Sequence, residues 1–168
     1  MRAYFRFFVT AFGLLLCLVM AGGKGLAAQE YHNTDQWRAK YEHETDPVRK
    51  SKILLSLGDS EFKDAEAALA DDKTLQALDL MKQYHDQAQS VAKELSDKFP
   101  DAERHPNGYK QLQISVRGAL RRLDAMIVGL AGDERAPFVE IRGQLDEIDR
   151  HLMQQLFPKQ PGSAGKTK

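Results

Sequence analysis

Four stretches of the chain carry apolar residues at helical spacing, and no stretch shows the period-two alternation of a half-buried strand. The third stretch has the most regular pattern, with steps of three or four residues: Tyr109, Leu112, Val116, Leu120, Leu123, Ile127 and Leu130. The fourth repeats this spacing at Phe138, Ile141, Leu145, Ile148, Leu152 and Leu156. Each set falls on one face of a helix, which predicts burial of that face against other helices.

The first two stretches predict two earlier helices. The first begins where Asp46 can cap a helix and Pro47 fits the first helical position. Its apolar stripe consists of Leu54, Gly58, Phe62, Ala65 and Leu69. The Asp71–Asp72 pair is predicted to end this helix and to cap the next. The second stripe consists of Ala77, Leu80 or Met81, Tyr84, Ala88, Val91 and Leu95. A glycine inside a helix costs about 1 kcal/mol relative to alanine, so Gly58 on the stripe predicts a close helix–helix approach.

These patterns predict an all-α fold. Four helices with mostly short connections favour antiparallel neighbours, and the simplest arrangement is an antiparallel up-down four-helix bundle. A short N-terminal helix over residues 33–45 is predicted ahead of the bundle, with Trp37 and Tyr41 one turn apart.

Residues 1–28 have the three-part order of a secretory signal peptide. Arg2 and Arg6 supply positive charge, residues 7–21 form an apolar run, and small residues follow up to a cleavage point near Ala28. As a helix, this run reaches about 22 Å, short of the roughly 30 Å hydrocarbon core of a bilayer. We therefore expect a periplasmic or secreted product with no stable membrane span, and an uncleaved anchor is the alternative.

Cleavage changes the composition in two ways. Cys17 is the only cysteine, so the product would have no disulfide, thiolate nucleophile or cysteine-based metal site. Three of the 24 basic residues and none of the 24 acidic ones are removed, which leaves 21 against 24 and a net charge of −3. A mildly acidic domain has no overall attraction to nucleic acid.

The predicted organisation has three parts: a signal peptide at 1–28, a helical bundle domain at 29–157 and a disordered tail at 158–168. The tail contains proline, glycine and lysine with almost no apolar residue. It can bury too little surface to offset the entropy of ordering it.

One segment resembles a tetratricopeptide repeat, a helical hairpin that binds peptides, at Leu57-Gly58, Phe62 and Ala77. The segment from Gly58 to Ala77 spans 19 residues where that repeat has about 12, and no second copy follows at a 34-residue period. Taken whole, the chain resembles small uncharacterised all-helical proteins exported by bacteria. This resemblance implies an exported helical domain and carries over no functional residues.

Two groups of residues are candidate interaction surfaces. Trp37 and Tyr41 could form an aromatic platform for a sugar or peptide, or the apolar side of a docking helix. Arg117, Arg121 and Arg122 form the densest basic patch. They could meet an acidic partner or anionic lipid headgroups, or form a solvated face.

No catalytic residue, metal site or cofactor is predicted. The chain lacks His-Glu-x-x-His, Gly-x-Ser-x-Gly and glycine-rich phosphate loops, and its five histidines form no pair four residues apart. The favoured function is an exported non-enzymatic helical module with a protein-binding or structural role in the cell envelope. The alternative is a carrier of a small ligand or metal in the bundle interior. A protein partner of unknown identity is expected, and a homo-oligomer is compatible with the sequence.

Overall fold

The computed structural model describes the backbone of residues 25–158 and the side chains of residues 33–158. This part of the chain is all-helical, with five helices and no strand, which confirms the predicted all-α class. The helices are α1 (Gly25–His43), α2 (Pro47–Ala70), α3 (Thr74–Lys98), α4 (Pro106–Gly129) and α5 (Gly132–Leu156). None of them is long and apolar enough to cross a membrane. The predicted tail beyond Pro158, and all but the last four residues of the predicted signal peptide, lie outside the described residues.

The amino terminus of α2 follows the prediction. The Asp46 carboxylate accepts a hydrogen bond from the backbone N–H of Arg49 (3.3 Å), and Pro47 is the first helical residue. The Lys98 ammonium, 3.1 Å from the other carboxylate oxygen, holds the pKa of Asp46 below its usual value. Asp46 therefore ties the start of α2 to the end of α3 as well as capping α2.

The carboxyl terminus of α2 is a Schellman motif. The backbone N–H of Lys73 donates to the Ala68 carbonyl (2.8 Å), and that of Asp72 donates to the Leu69 carbonyl (3.1 Å). Asp72 has the left-handed φ of 58° that this motif requires. The aspartate pair thus ends α2 as predicted. The prediction that it also caps α3 is wrong, because Asp72 is used by the turn and Lys73 stands at the N-cap without a capping side-chain bond.

Every long helix packs against at least two others. Helix α2 packs against α3 and α4, α5 packs against α4 and α3, and α1 packs against α2. Polar pairs join these helices at several points: Lys50–Glu94 and Glu61–Gln87 (α2–α3), Glu66–Arg122 (α2–α4), Arg117–Asp149 and Asp124–Arg142 (α4–α5), and Ser96–Gln155 (α3–α5).

One apolar cluster runs through all five helices and contains most residues of the predicted stripes. In α4 the prediction needs correction. Leu120 and Ile127 are only partly buried, whereas Ala119 and Met126 are buried. Because α4 packs against α2 as well as α5, its buried face extends beyond the predicted stripe to Ala119 and Met126, while Tyr109, Leu112, Val116 and Leu123 of the stripe stay fully buried.

The close approach predicted at Gly58 is confirmed. A Cβ atom added there would lie 2.5 Å from Cε2 of Tyr84 on α3. The Tyr84 ring is buried, packs edge-on against Phe62 at 5.3 Å, and its hydroxyl is hydrogen-bonded to Ser115 on α4 (2.8 Å). Tyr84 thus connects three helices, and Gly58 provides the space for its ring.

Candidate functional site

A groove of about 640 Å³ lies between α3 and α5. Its walls carry mostly polar side chains from both helices, and its apolar floor includes Ala92 and Ile148. The wall residues are His85, Gln89, Lys93 and Ser96 on α3, and Gln144, Glu147 and His151 on α5. Ile148 belongs to the predicted stripe of α5 but is only partly buried, because the groove runs past it.

Several polar groups of this groove are available to another molecule. Within residues 33–158, no side-chain hydrogen bond or ion pair holds Gln89, Glu147 or His151. His85, in contrast, is hydrogen-bonded to Asp86 (3.0 Å). Amide, carboxylate and imidazole groups above an apolar floor suit a partner with both polar and apolar parts.

Two histidines, His85 and His151, line the groove. Across the described residues no group of three or more His, Cys, Asp or Glu side chains is arranged to hold a metal ion.

The two aromatic residues singled out in α1 face the body of the protein. Tyr41 is buried, and its hydroxyl donates to the Gln87 carbonyl of α3 (3.1 Å). Trp37 is partly buried against the core, with the Lys40 ammonium 4.2 Å from its ring centre. Of the two readings, this arrangement matches the apolar side of a docking helix.

Sequence reasoning missed a buried acid beneath α1. Glu61 of α2 is fully buried, and its Oε1 accepts hydrogen bonds from Arg38 of α1 (3.2 Å) and Gln87 of α3 (3.1 Å). Its Oε2 has no hydrogen-bond partner among the described residues. Burial raises the pKa of Glu61, and its two hydrogen bonds offset only part of that effect. The available signal was its position between Leu57 and Ala65, four residues from each.

The three arginines of the predicted basic patch have different surroundings. Arg117 pairs with Asp149 of α5 (3.1 Å), and Arg121 is exposed. Arg122 pairs with Glu66 through both terminal carboxylate oxygens (2.8 Å each) and with Asp59 (3.0 Å). The aromatic pair lies on α1 and the three arginines lie on α4, and the described residues of these two helices do not contact each other.

Comparison with protein families, with curated proteins and with solved structures finds no match to this chain. The function is therefore inferred from the geometry of the groove between α3 and α5.

Proposed function

We propose that this chain is an exported, non-enzymatic helical module that binds a protein partner in the cell envelope through the α3–α5 groove. The groove is the single observation that carries this proposal. Its floor supplies apolar contact, and its walls supply amide, carboxylate and imidazole groups from two helices. Export, followed by a periplasmic or secreted location, rests on the signal-peptide order of residues 1–28.

The proposed architecture explains why such a groove exists. Helices α2 to α5 would form a four-helix bundle of two antiparallel hairpins, α2–α3 and α4–α5, preceded by α1. Between α2 and α3, Lys50 meets Glu94 while Glu61 meets Gln87, so residue numbers run in opposite directions. Helices α3 and α5 would lie parallel, since Thr74 bonds to Glu134 and Ser96 to Gln155.

This arrangement brings α3 and α5 together although they are not consecutive. No short loop links them, and their polar pairs Thr74–Glu134 and Ser96–Gln155 lie towards the two ends of α3. The middle of the α3–α5 contact carries small or polar residues such as Ala92 and Gln144. A groove at this position can receive a segment of another protein without rearrangement of the core.

A carrier with its ligand inside the bundle has weaker support. The pocket beside Tyr84 and Ser115 has a volume of about 90 Å³. Binding sites for small molecules usually measure about 300–1,000 Å³. The groove between α3 and α5 falls in that range, but it is open along the surface rather than enclosed.

Site-specific photo-cross-linking in the native host tests the proposal. A photoreactive residue is placed at Gln89 on the α3 wall and, separately, at Gln144 on the α5 wall. Because both walls face the same groove, we expect the same protein to be captured from both positions. A product composed of two copies of this chain would identify the partner as a homo-oligomer.

Gln36 provides the matched control, since it is an exposed glutamine on α1, away from the groove. Labelling at Gln36 should not capture the partner. Equal capture from all three positions, or no capture from either wall, would contradict the groove as a binding site.

A further inference from the structure

We propose that the exposed side of α2 and α4 is a docking surface for a membrane rich in anionic lipids. This surface, which we call the cationic face, consists of Lys52 and Leu55 on α2 and of Lys110, Ile114 and Arg121 on α4. It shares no residue with the groove between α3 and α5. The inference therefore does not depend on the proposed protein partner.

Helices α2 and α4 lie side by side, and their residue numbers increase in the same direction. A Cβ added at Gly108, near the start of α4, would lie 3.2 Å from Cγ2 of Val48, near the start of α2. Further along both helices, Arg122 of α4 pairs with Asp59 of α2 (3.0 Å). Residues of the two helices that lie about 60 positions apart in the sequence are thus neighbours along this seam.

On α4 the cationic face follows one side of the helix. Lys110, Ile114 and Gly118 follow one another at four-residue intervals, and residues at this spacing lie on the same helix face. A Cβ added at Gly118 would lie 4.0 Å from Nη2 of Arg121. From Lys110 to Arg121 this part is about 16 Å long, at a rise of about 1.5 Å per residue.

The α2 part of the cationic face adjoins the α4 part across the seam. Leu55 and Gly118 line the same small cleft between the two helices. Lys52 precedes Leu55 by three residues and lies on the same side of α2. The cationic face is therefore continuous over both helices.

The three cations of this face have no counter-ion in the protein. Lys52, Lys110 and Arg121 are exposed, and among the residues whose side chains are described no hydrogen bond, ion pair or ring contact holds them. Arg121 differs in this respect from the two other arginines of the predicted basic patch, since Arg117 and Arg122 both pair with acids. The charges of these three side chains are available to an external anion.

The acids beside these cations are already neutralised. Arg122 pairs with Glu66 (2.8 Å) and with Asp59 (3.0 Å), and Lys63 also pairs with Asp59 (3.1 Å). A negatively charged surface that approaches α2 and α4 would therefore meet a net positive charge.

Aliphatic rather than aromatic side chains accompany the cations. Leu55 is 40% exposed and Ile114 is 53% exposed, whereas Phe62 and Tyr84, which line the cleft of about 90 Å³ below them, are buried. Protein-binding surfaces are enriched in Tyr and Trp and have hot spots in well-packed pockets. Anionic bilayers attract basic side chains and take up apolar ones that lie among them. The composition of the cationic face thus favours a lipid surface over an acidic protein.

Vesicle co-sedimentation tests the proposal on the protein as its host produces it. One set of vesicles contains phosphatidylcholine alone, and the other also contains phosphatidylglycerol as the anionic lipid. We expect tighter binding to the anionic vesicles, and this preference should decrease with added salt, because salt screens exposed charges. Equal binding to both kinds of vesicle would overturn the proposal. Failure to bind either kind would also overturn it and leave an acidic protein as the partner to seek.

Neutral variants assign the binding to the cationic face. Lys52→Gln, Lys110→Gln and Arg121→Gln should each weaken binding to anionic vesicles about fivefold, and the triple variant about a hundredfold, since each cation acts near the charged surface. Ile114→Ser should weaken it as well, because apolar contact is lost. Lys82→Gln is the matched control, since it removes an exposed lysine from α3 and should leave binding unchanged.

Circular dichroism checks that the variants, all at exposed positions, remain folded. A triple variant that binds anionic vesicles as tightly as the wild type would show that another part of the chain holds the membrane. Losses for Lys82→Gln equal to those at the cationic face would show a response to net charge alone. Either result would overturn the proposal.

Discussion

Two glycines inside helices have opposite surroundings. A Cβ at Gly58 would meet the ring of Tyr84 at 2.5 Å, and that ring is fixed by Phe62 and by the hydrogen bond to Ser115. A Cβ at Gly143 on α5 would have no atom within 4 Å. The same substitution therefore tests packing at one site and backbone freedom at the other.

We predict that Gly58→Ala destabilises the protein and that Gly143→Ala stabilises it. The buried clash should cost about 1–3 kcal/mol, because the Tyr84 ring must move. At Gly143, alanine should raise the free energy of unfolding by about 0.5–1 kcal/mol, because alanine loses less backbone entropy than glycine on folding. Urea unfolding of both variants measures the difference. Equal effects of the two substitutions would show that Gly58 is not a close contact.

At the start of α2, the side chain of Asp46 contacts two helices. Asp46 caps α2 and also pairs with Lys98 at the end of α3. Because the Lys98 hydrogen bond lowers its pKa, ionised Asp46 stabilises the folded state. That stability is present above the usual value of 3.8 and is lost as the pH falls through the lowered one.

We predict that Asp46→Ala costs about 1 kcal/mol at neutral pH, the usual effect of losing an N-cap. Asp46→Asn should cost less, since asparagine also caps a helix but cannot form the ion pair with Lys98. Thermal melts from neutral to strongly acidic pH check this. The wild type and Asp46→Asn should converge in acid, and a constant gap between them would be inconsistent with the ion pair.

Two adjacent arginines on α4, Arg121 and Arg122, differ in their contacts with α2. Arg122 connects α4 to α2 through Glu66 and Asp59 and lies 5.0 Å from the centre of the Phe62 ring, whereas Arg121 is exposed. We expect Arg122→Ala to cost about 1 kcal/mol and Arg121→Ala less than about 0.5 kcal/mol. Urea unfolding at low and high salt measures both. Similar losses for the two variants would contradict a link between α2 and α4.

The sequence predicts the four long helices and the Asp46 cap, because the spacing of apolar residues and the capping of a helix depend only on residues close together in the chain. It does not predict that α2 packs against α4. That contact depends on residues far apart in the chain, such as Glu66 and Arg122. The groove was missed for a related reason. From the sequence, the polar residues of its walls are predicted to be solvent-exposed, and Ile148 is predicted to be a core residue. Only the packing of α3 beside α5 shows that these residues line a groove.

The molecule as a whole is held by one apolar cluster that runs through all its described helices. No set of metal-ligating side chains interrupts that cluster in the described part of the chain. We therefore predict that a strong chelator leaves both the helical circular dichroism and the melting temperature unchanged. A bound metal would add about 2.7 kcal/mol at a hundredfold excess over its dissociation constant. Loss of several degrees on chelation, with a stoichiometric metal in elemental analysis, would contradict this.

The short turns of the chain have a consequence for how quickly it folds. Residues 71–73 join α2 to α3, and Leu130 and Ala131 join α4 to α5. Each of these helix pairs can therefore form by closing a short loop, which takes about 10–100 ns. The α2–α4 and α3–α5 contacts join residues 56 to 60 positions apart, as in Glu66–Arg122 and Thr74–Glu134, and should form later. The two hairpins would thus cover part of their apolar stripes before they dock on each other.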